Sequence, residues 1–250
     1  MKLCPAALLA FGLFTACGGD DDPTTSWQPL DGPPAHVVGH AFIFGPNPSA
    51  LTIEGAIVAV AEDPSVSTTV NADGSFELDV PSGGFSSFSL TKSGFIPSQS
   101  AAIEITAAGI QRLGFQTPAL EAVDQLATFA RVTLDPTKCQ ISTTVSRAGT
   151  EPYGGDSLGV AGAVSTISPA ADADGPIYFA SNGSTTPPTI FPDRALAETS
   201  IDGGVIFANV SPGEYTITAS KAGTAFSPAT IRCRPGVLVN AAPPNGIQEI

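Results

Sequence analysis

Residues 70–95 read V-N-A-D-G-S-F-E-L-D-V-P-S-G-G-F-S-S-F-S-L-T-K-S-G-F. Asn71, Asp73 and Gly74 supply a turn. Phe76, Leu78 and Val80 then alternate with Ser75, Glu77 and Asp79, the period of a strand with one buried face. Pro81 to Gly84 turn the chain back. Phe88 and Leu90 alternate with Ser89 and Thr91, and Ser93-Gly94 ends the run. The pattern predicts a complete β-hairpin.

The flanking sequence extends the same style. His36 to Phe44, H-V-V-G-H-A-F-I-F, predicts a first strand, and Gly45 to Ser49 a turn with two prolines. Ile53 to Val60, I-E-G-A-I-V-A-V, is apolar on both faces and predicts a central strand. Ile103 and Ile105 alternate with Glu104 and Thr106 in a closing strand. This order, a strand, a G-A-x-V strand, a D-G-x-F hairpin, S-G-F and a closing strand, resembles the carboxypeptidase regulatory-like domain, a small transthyretin-like β-sandwich.

A second copy follows. V-A-G-A-V-S-T-I (Val160 to Ile167) echoes the G-A-x-V strand, and S-I-D-G-G-V-I-F-A-N-V-S-P-G-E-Y-T-I-T-A-S-K-A-G (Ser200 to Gly223) echoes the hairpin. Asp202-Gly203 stands for Asp73-Gly74, and Lys221-Ala222-Gly223 for Lys92-Ser93-Gly94. The resemblance implies an all-β chain of two tandem transthyretin-like sandwiches, 35–117 and 132–250, joined by one short helix within 118–131. That helix is predicted over Ala119 to Arg131, with Thr117 as N-cap and Pro118 at the first position. Leu120, Val123, Leu126, Ala127 and Ala130 recur at helical spacing, a stripe suited to packing between the domains or over a sheet edge.

The copies differ in length. Gly55 to Gly162 spans 107 residues and Gly74 to Gly203 spans 129, so the second copy carries 22 more between its G-A-x-V strand and its hairpin. They fall in an inserted loop at about 169–196. Long loops on a rigid scaffold are where binding usually lives. Tyr178, Phe179 and Phe191 are candidates to stack on a sugar or grip a peptide, and Asp172 and Asp174 to supply oxygens to calcium. The competing reading is that these aromatics pack on their own sheet.

Charge bounds the partners. The chain has 250 residues, with 10 basic against 23 acidic side chains, and only 13% are charged. That sign offers no footprint for nucleic acid and no electrostatic attraction to an anionic membrane. Attachment to a membrane therefore needs another cause.

The N-terminus provides one. Lys2 precedes an apolar run, Ala6 to Ala16, too short to span a bilayer. It ends L-F-T-A-C, which resembles a bacterial lipobox, with Phe14 where leucine is usual. The resemblance implies a signal peptide over 1–16, lipidation (palmitate among the acyl chains) at Cys17, and export to a lipid-anchored position. Gly18 rather than aspartate after the cysteine points to the outer membrane. Residues 17–34, with Gly18-Gly19-Asp20-Asp21-Asp22 and four prolines, predict a flexible tether.

Two cysteines remain after Cys4 and Cys17. In an exported chain, Cys139 and Cys233 are expected to form a disulfide closing a 94-residue separation, worth about 4–5 kcal/mol in the chain-entropy model. His36 and His40, the only histidines, share a strand face. With no third ligand type nearby in sequence, no metal site is assigned to them.

The sequence carries no nucleophile motif, metal-ligand cluster or phosphate loop. The expectation is a non-enzymatic, lipid-anchored envelope protein acting as a binding or scaffold module, whose partner is another envelope protein or a polysaccharide. The alternative is a carbohydrate- or calcium-binding surface module using the 169–196 loop.

Overall fold

The computed structural model describes residues 30–44, 51–150, 159–182 and 189–250. The signal segment, Cys17, most of the tether and the 45–49 turn lie outside these residues. The chain is all-β with one helix. In order it forms β1 (Pro34–Ile43), β2 (Ile57–Val60), β3 (Ser67–Thr69), β4 (Ser75–Pro81), β5 (Gly84–Ser86), β6 (Phe88–Thr91), β7 (Ser98–Gln99), β8 (Ile103–Ile105) and β9 (Ile110–Thr117). The helix α1 (Leu120–Ala130) follows. Then come β10 (Cys139–Thr144), β11 (Val164–Ser168), β12 (Asp174–Asn182), β13 (Thr189–Asp193), β14 (Gly204–Val210), β15 (Gly213–Ser220), β16 (Phe226–Ser227), β17 (Ala229–Cys233), β18 (Leu238–Ala241) and β19 (Gln248–Glu249).

The strands of the opening motif form as expected, but they do not pair with each other. β4 lies antiparallel to β1, with Phe76 opposite Gly39 and Val80 opposite Ala35. β6 instead pairs with β2 and β7 in another sheet. The expected hairpin is therefore an arch that crosses from one sheet to the other. Its inward residues, Phe76, Leu78, Val80, Phe88 and Leu90, all enter one buried cluster with Val37, Val58, Ile105 and Phe115. Burial alone satisfies the alternation, because both strands turn their apolar face into the space between the sheets.

The second copy repeats the arch. β14 pairs with β10 and β12, while β15 pairs with β11 and β17. Each copy has a three-strand set built round a parallel pair, β4-β1-β9 and β14-β10-β18. The parallel strand β9 has no counterpart in the sequence reading, which stopped at the Ile103–Ile105 strand. The second cluster gathers Ile141, Tyr178, Val205, Phe207, Ile217, Ile231 and Val239.

The repeated turn residues have repeated jobs. Gly55 and Gly162 have φ of 73° and 76° and open the strand that each precedes. Their N–H groups donate to Val70 O at 2.9 Å and Thr199 O at 2.8 Å. Lys92 Nζ donates to Glu54 O, and Lys221 Nζ to Ala161 O, so each repeat's lysine ties its turn to the preceding loop. Gly74 and Gly203 accept from Ala41 N and Val145 N, each at 2.8 Å.

One sheet runs through both copies. Its order is β13-β12-β14-β10-β18-β7-β6-β2-β3. The weld is a parallel pairing of β18 with β7, Leu238 opposite Ser98 and Val239 opposite Gln99. Cys139 and Cys233 form a disulfide with a Cα–Cα distance of 5.6 Å. It ties β10, in the long sheet, to the end of β17, in the facing sheet of the second sandwich.

The segment 169–196, expected as a loop, carries β12 and β13. They extend the long sheet beyond β14. The helix starts at Leu120 with Ala119 as its N-cap residue and no side-chain cap, instead of the expected Thr117-Pro118 start. Thr117 is instead the buried end of β9. Val123, Leu126, Ala127 and Ala130 face a small apolar groove whose other wall includes Phe44, Ile96, Phe179 and Ile206. The stripe thus covers the long sheet across the junction. No helix among the described residues is long and apolar enough to cross a membrane.

Two glycines separate backbone strain from crowding. Gly203 and Gly223 have nearly the same φ, 75° and 76°. A Cβ at Gly203 would meet Val145 O at 2.4 Å, whereas at Gly223 nothing lies within 4 Å. G223A should cost about 1–2 kcal/mol, the left-handed penalty alone. G203A should cost above about 3 kcal/mol, since backbone must move. Urea unfolding of both variants checks this, and equal costs would contradict it.

Candidate functional site

Among the described residues, polar and apolar groups converge at the junction of the sandwiches and at the surface between α1 and β13.

The junction is built on Glu62, just past β2. Its Oε2 accepts from Ser86 Oγ at 2.5 Å and Ser87 N at 2.9 Å, and its Oε1 from Ser87 Oγ at 2.9 Å. Arg234, just past β17, reaches across from the second sandwich. Its Nη2 donates to Glu62 Oε1, and its Nη1 to Gln99 Oε1 and to Ser87 Oγ. Gln99 Nε2 in turn donates to Arg232 O at 2.8 Å. Burial alone would push the Glu62 carboxyl up. The bonds from Ser86 and Ser87 and the Arg234 guanidinium outweigh it and hold the carboxyl below its ordinary value of 4.5. A cleft of about 410 Å³ opens beside this network, walled by Leu30, Val60, Val66, Pro81 and Phe85, with Arg232 at its edge. Arg234 bonds both Glu62 and Gln99, whose remaining bonds go to Ser86, Ser87 and the Arg232 carbonyl. These bonds hold the sandwiches together, and Glu62 and Arg234 also form part of the cleft's wall.

The sequence-predicted aromatics divide. Tyr178 is 1% exposed, and its hydroxyl accepts from Ser165 N at 3.0 Å inside the second core. Burial pushes its phenol up from the usual value. Phe179, on the opposite face of β12, is 5% exposed and lies under α1. Neither ring is accessible to a ligand, because both faces of β12 are covered. Phe191 is different. On β13, opposite Ala180, it meets Phe129 of α1 with ring centroids 6.3 Å apart. Phe129 is 59% exposed.

The two aspartates do not converge on a cation. Asp172 pairs with Lys138 at 3.5 Å. Asp174 meets Arg194 Nη2 through Oδ1 at 3.2 Å and accepts from Asn209 Nδ2 through Oδ2 at 3.1 Å. Among the described residues, no group of three or more potential ligands that could hold a metal ion occurs. His36 and His40 also go separate ways. His36 Nδ1 lies 2.9 Å from Asp79 Oδ1, a hydrogen bond that raises its pKa, while His40 stacks on Phe42.

Phe129 and Arg131, which flank Phe191 in space, were not singled out from sequence. Their signal was available, since Phe129 falls off the apolar stripe of α1. Pairing it with Phe191, 62 residues on, required the fold.

The junction yields a test. The folded Glu62 carboxyl titrates below its unfolded counterpart, so its contribution is full above about 4.5 and is lost as pH falls through the folded value. Removing that charge leaves Arg234 half-buried without its partner. E62Q should lower the unfolding free energy at pH 7 by about 1–3 kcal/mol. The gap to wild type should close as pH falls below 4.5. Urea midpoints measured from pH 7 to pH 3 read both effects, and a gap constant across that range would count against the clamp.

No family model matches the chain, and no curated protein does. Solved structures do. The chain is similar to the TIE protein of Bacillus anthracis at 12% identity and a TM-score of 0.28, covering 83% of this chain and 33% of that one, so it spans about a third of that protein. It is similar to a chain of a type II cohesin–X-dockerin complex from Acetivibrio cellulolyticus at 12% identity and a TM-score of 0.29, over 48% of this chain and 81% of that one. It is also similar to the shaft pilin of Lactobacillus rhamnosus GG at 10% identity and a TM-score of 0.25, over 87% of this chain and 97% of that one.

Proposed function

We propose that this chain is a lipid-anchored cell-envelope protein whose two β-sandwiches act as one stiff, non-enzymatic scaffold or binding unit. The observation that carries the reading is the junction. A sheet continuous through both sandwiches, backed by the Glu62–Arg234–Gln99 network, makes a rigid body where a flexible pair of beads would need only a linker. Rigidity suits a part that must hold a partner at a fixed distance from a surface. The lipobox-like L-F-T-A-C before Cys17 supplies the attachment, and residues 18–29 the spacing. The outer membrane is its proposed location, and another envelope protein its proposed partner.

The test is detergent phase partition of the full chain expressed in a bacterium with two membranes. Wild type should enter the detergent phase and C17S the aqueous phase. C17S remaining in the detergent phase would refute lipid anchoring. Crosslinking in cells from cysteine-free surface positions should then trap one defined neighbour.

A further inference from the structure

We propose that the cavity between the C-terminal end of α1 and β13 is a binding site for an acidic sugar unit, a pyranose bearing a carboxylate. The cavity, about 270 Å³, is lined by Phe129, Arg131, Phe191, Pro192, Asp193 and Arg194. Four observations lead there.

First, Phe129 is exposed where nothing in the fold asks for an aromatic. Only Ala130 of α1 is buried, yet Phe129 leaves 59% of its surface to solvent beside a second phenyl ring at 46° to it. Tilted aromatic faces open to water suit the C–H face of a sugar ring. Second, Arg131 is exposed and makes no side-chain hydrogen bond or ion pair among the described residues. A planar guanidinium at the edge of an aromatic floor matches a carboxylate in two-point geometry.

Third, the cavity's other cation is spent. Arg194 Nε donates to Ala130 O at 2.6 Å, and its Nη2 pairs with Asp174. Asp193 Oδ1 accepts from Ala195 N at 2.9 Å within its own turn. Asp193 keeps its negative charge, and Arg131 is left as the cavity's cation with no ion pair among the described residues. Fourth, the site disfavours a peptide. α1 packs against β13, and Pro192 lacks an N–H, so this edge offers an added peptide strand one donor fewer. What the cavity offers is a pair of tilted phenyl rings beside one cation that makes no ion pair among the described residues.

The site is independent of lipid at Cys17, so failure of this proposal and failure of the anchoring reading are separately visible. The full chain is titrated with digalacturonate, and with galactobiose and triglutamate as comparators, by isothermal calorimetry at 0.15 M salt. Digalacturonate should saturate, and galactobiose and triglutamate should each bind at least about tenfold more weakly. F129A and R131Q should each weaken digalacturonate about tenfold while leaving the thermal midpoint unchanged, and R131K should keep part of the affinity. Absence of saturable digalacturonate binding would overturn the proposal. So would equal affinity for triglutamate, which would mean charge alone, or unchanged affinity in F129A or R131Q.

Discussion

The structure depends on two residues, Ser98 and Gln99, that form a strand too short to stand alone. β7 is buried, lies between β6 and β18, and is the one place where the sheets of the two sandwiches become a single sheet. A buried polar pair is expensive unless every group is met. Here each is. Ser98 Oγ donates to Ile96 O at 3.2 Å, Gln99 Nε2 donates to Arg232 O, and Gln99 Oε1 accepts from Arg234. The network therefore fixes one relative position of the sandwiches, because sliding by a residue would strand a buried amide.

The disulfide belongs to the same device. Cys233 ends β17, and Arg234 follows it directly. Tying Cys233 to Cys139 holds the base of the arm whose tip reaches Glu62. The arm's partners, Glu62, Ser87 and Gln99, come from three separate parts of the first sandwich. One covalent bond within the second sandwich thereby steadies contacts outside it. Edge strands gain cover from the same junction. β7 meets β18, Asn240 Nδ2 of β18 donates to Gln116 O of β9 at 2.8 Å, and Ala102 bridges Thr230 of β17. Edges that would otherwise offer open hydrogen-bonding rows are used up within the chain.

Much of this was legible in the sequence, and the limits have physical causes. Alternation at Phe76, Leu78 and Val80, and at Phe88 and Leu90, reports which side chains point inward. It does not report which strand lies alongside, and an arch between facing sheets buries the same residues as a hairpin. The repeated Lys-x-Gly and Asp-Gly turns were readable because local geometry fixes them. Tyr178 and Phe179 could not be sorted the same way. Adjacent residues on a strand point to opposite faces, and one of those faces is free unless something distant covers it. Here the cover is α1, some 50 residues upstream in a segment whose own stripe gave no address. The 169–196 segment read as a loop because its glycines and prolines outweighed a short apolar run, I-Y-F, that extends the sheet instead.

The same cover explains why the exposed end of α1 stands apart. A helix laid over a sheet needs only its inner stripe. Val123, Leu126, Ala127 and Ala130 meet that need by closing the groove above Phe179 and Ile206. Past Ala130 the chain must leave the helix, and Arg131 does so with φ of 53°, its N–H returning to Thr128 O at 3.1 Å. A glycine is the usual residue for that conformation. Arginine there is a local cost of about 1–2 kcal/mol that the cap itself does not explain. That strain places a guanidinium beside Phe129 and Phe191, where the end of α1 meets β13. What this corner presents is therefore a set of side chains that the packing of α1 on the sheet does not itself require.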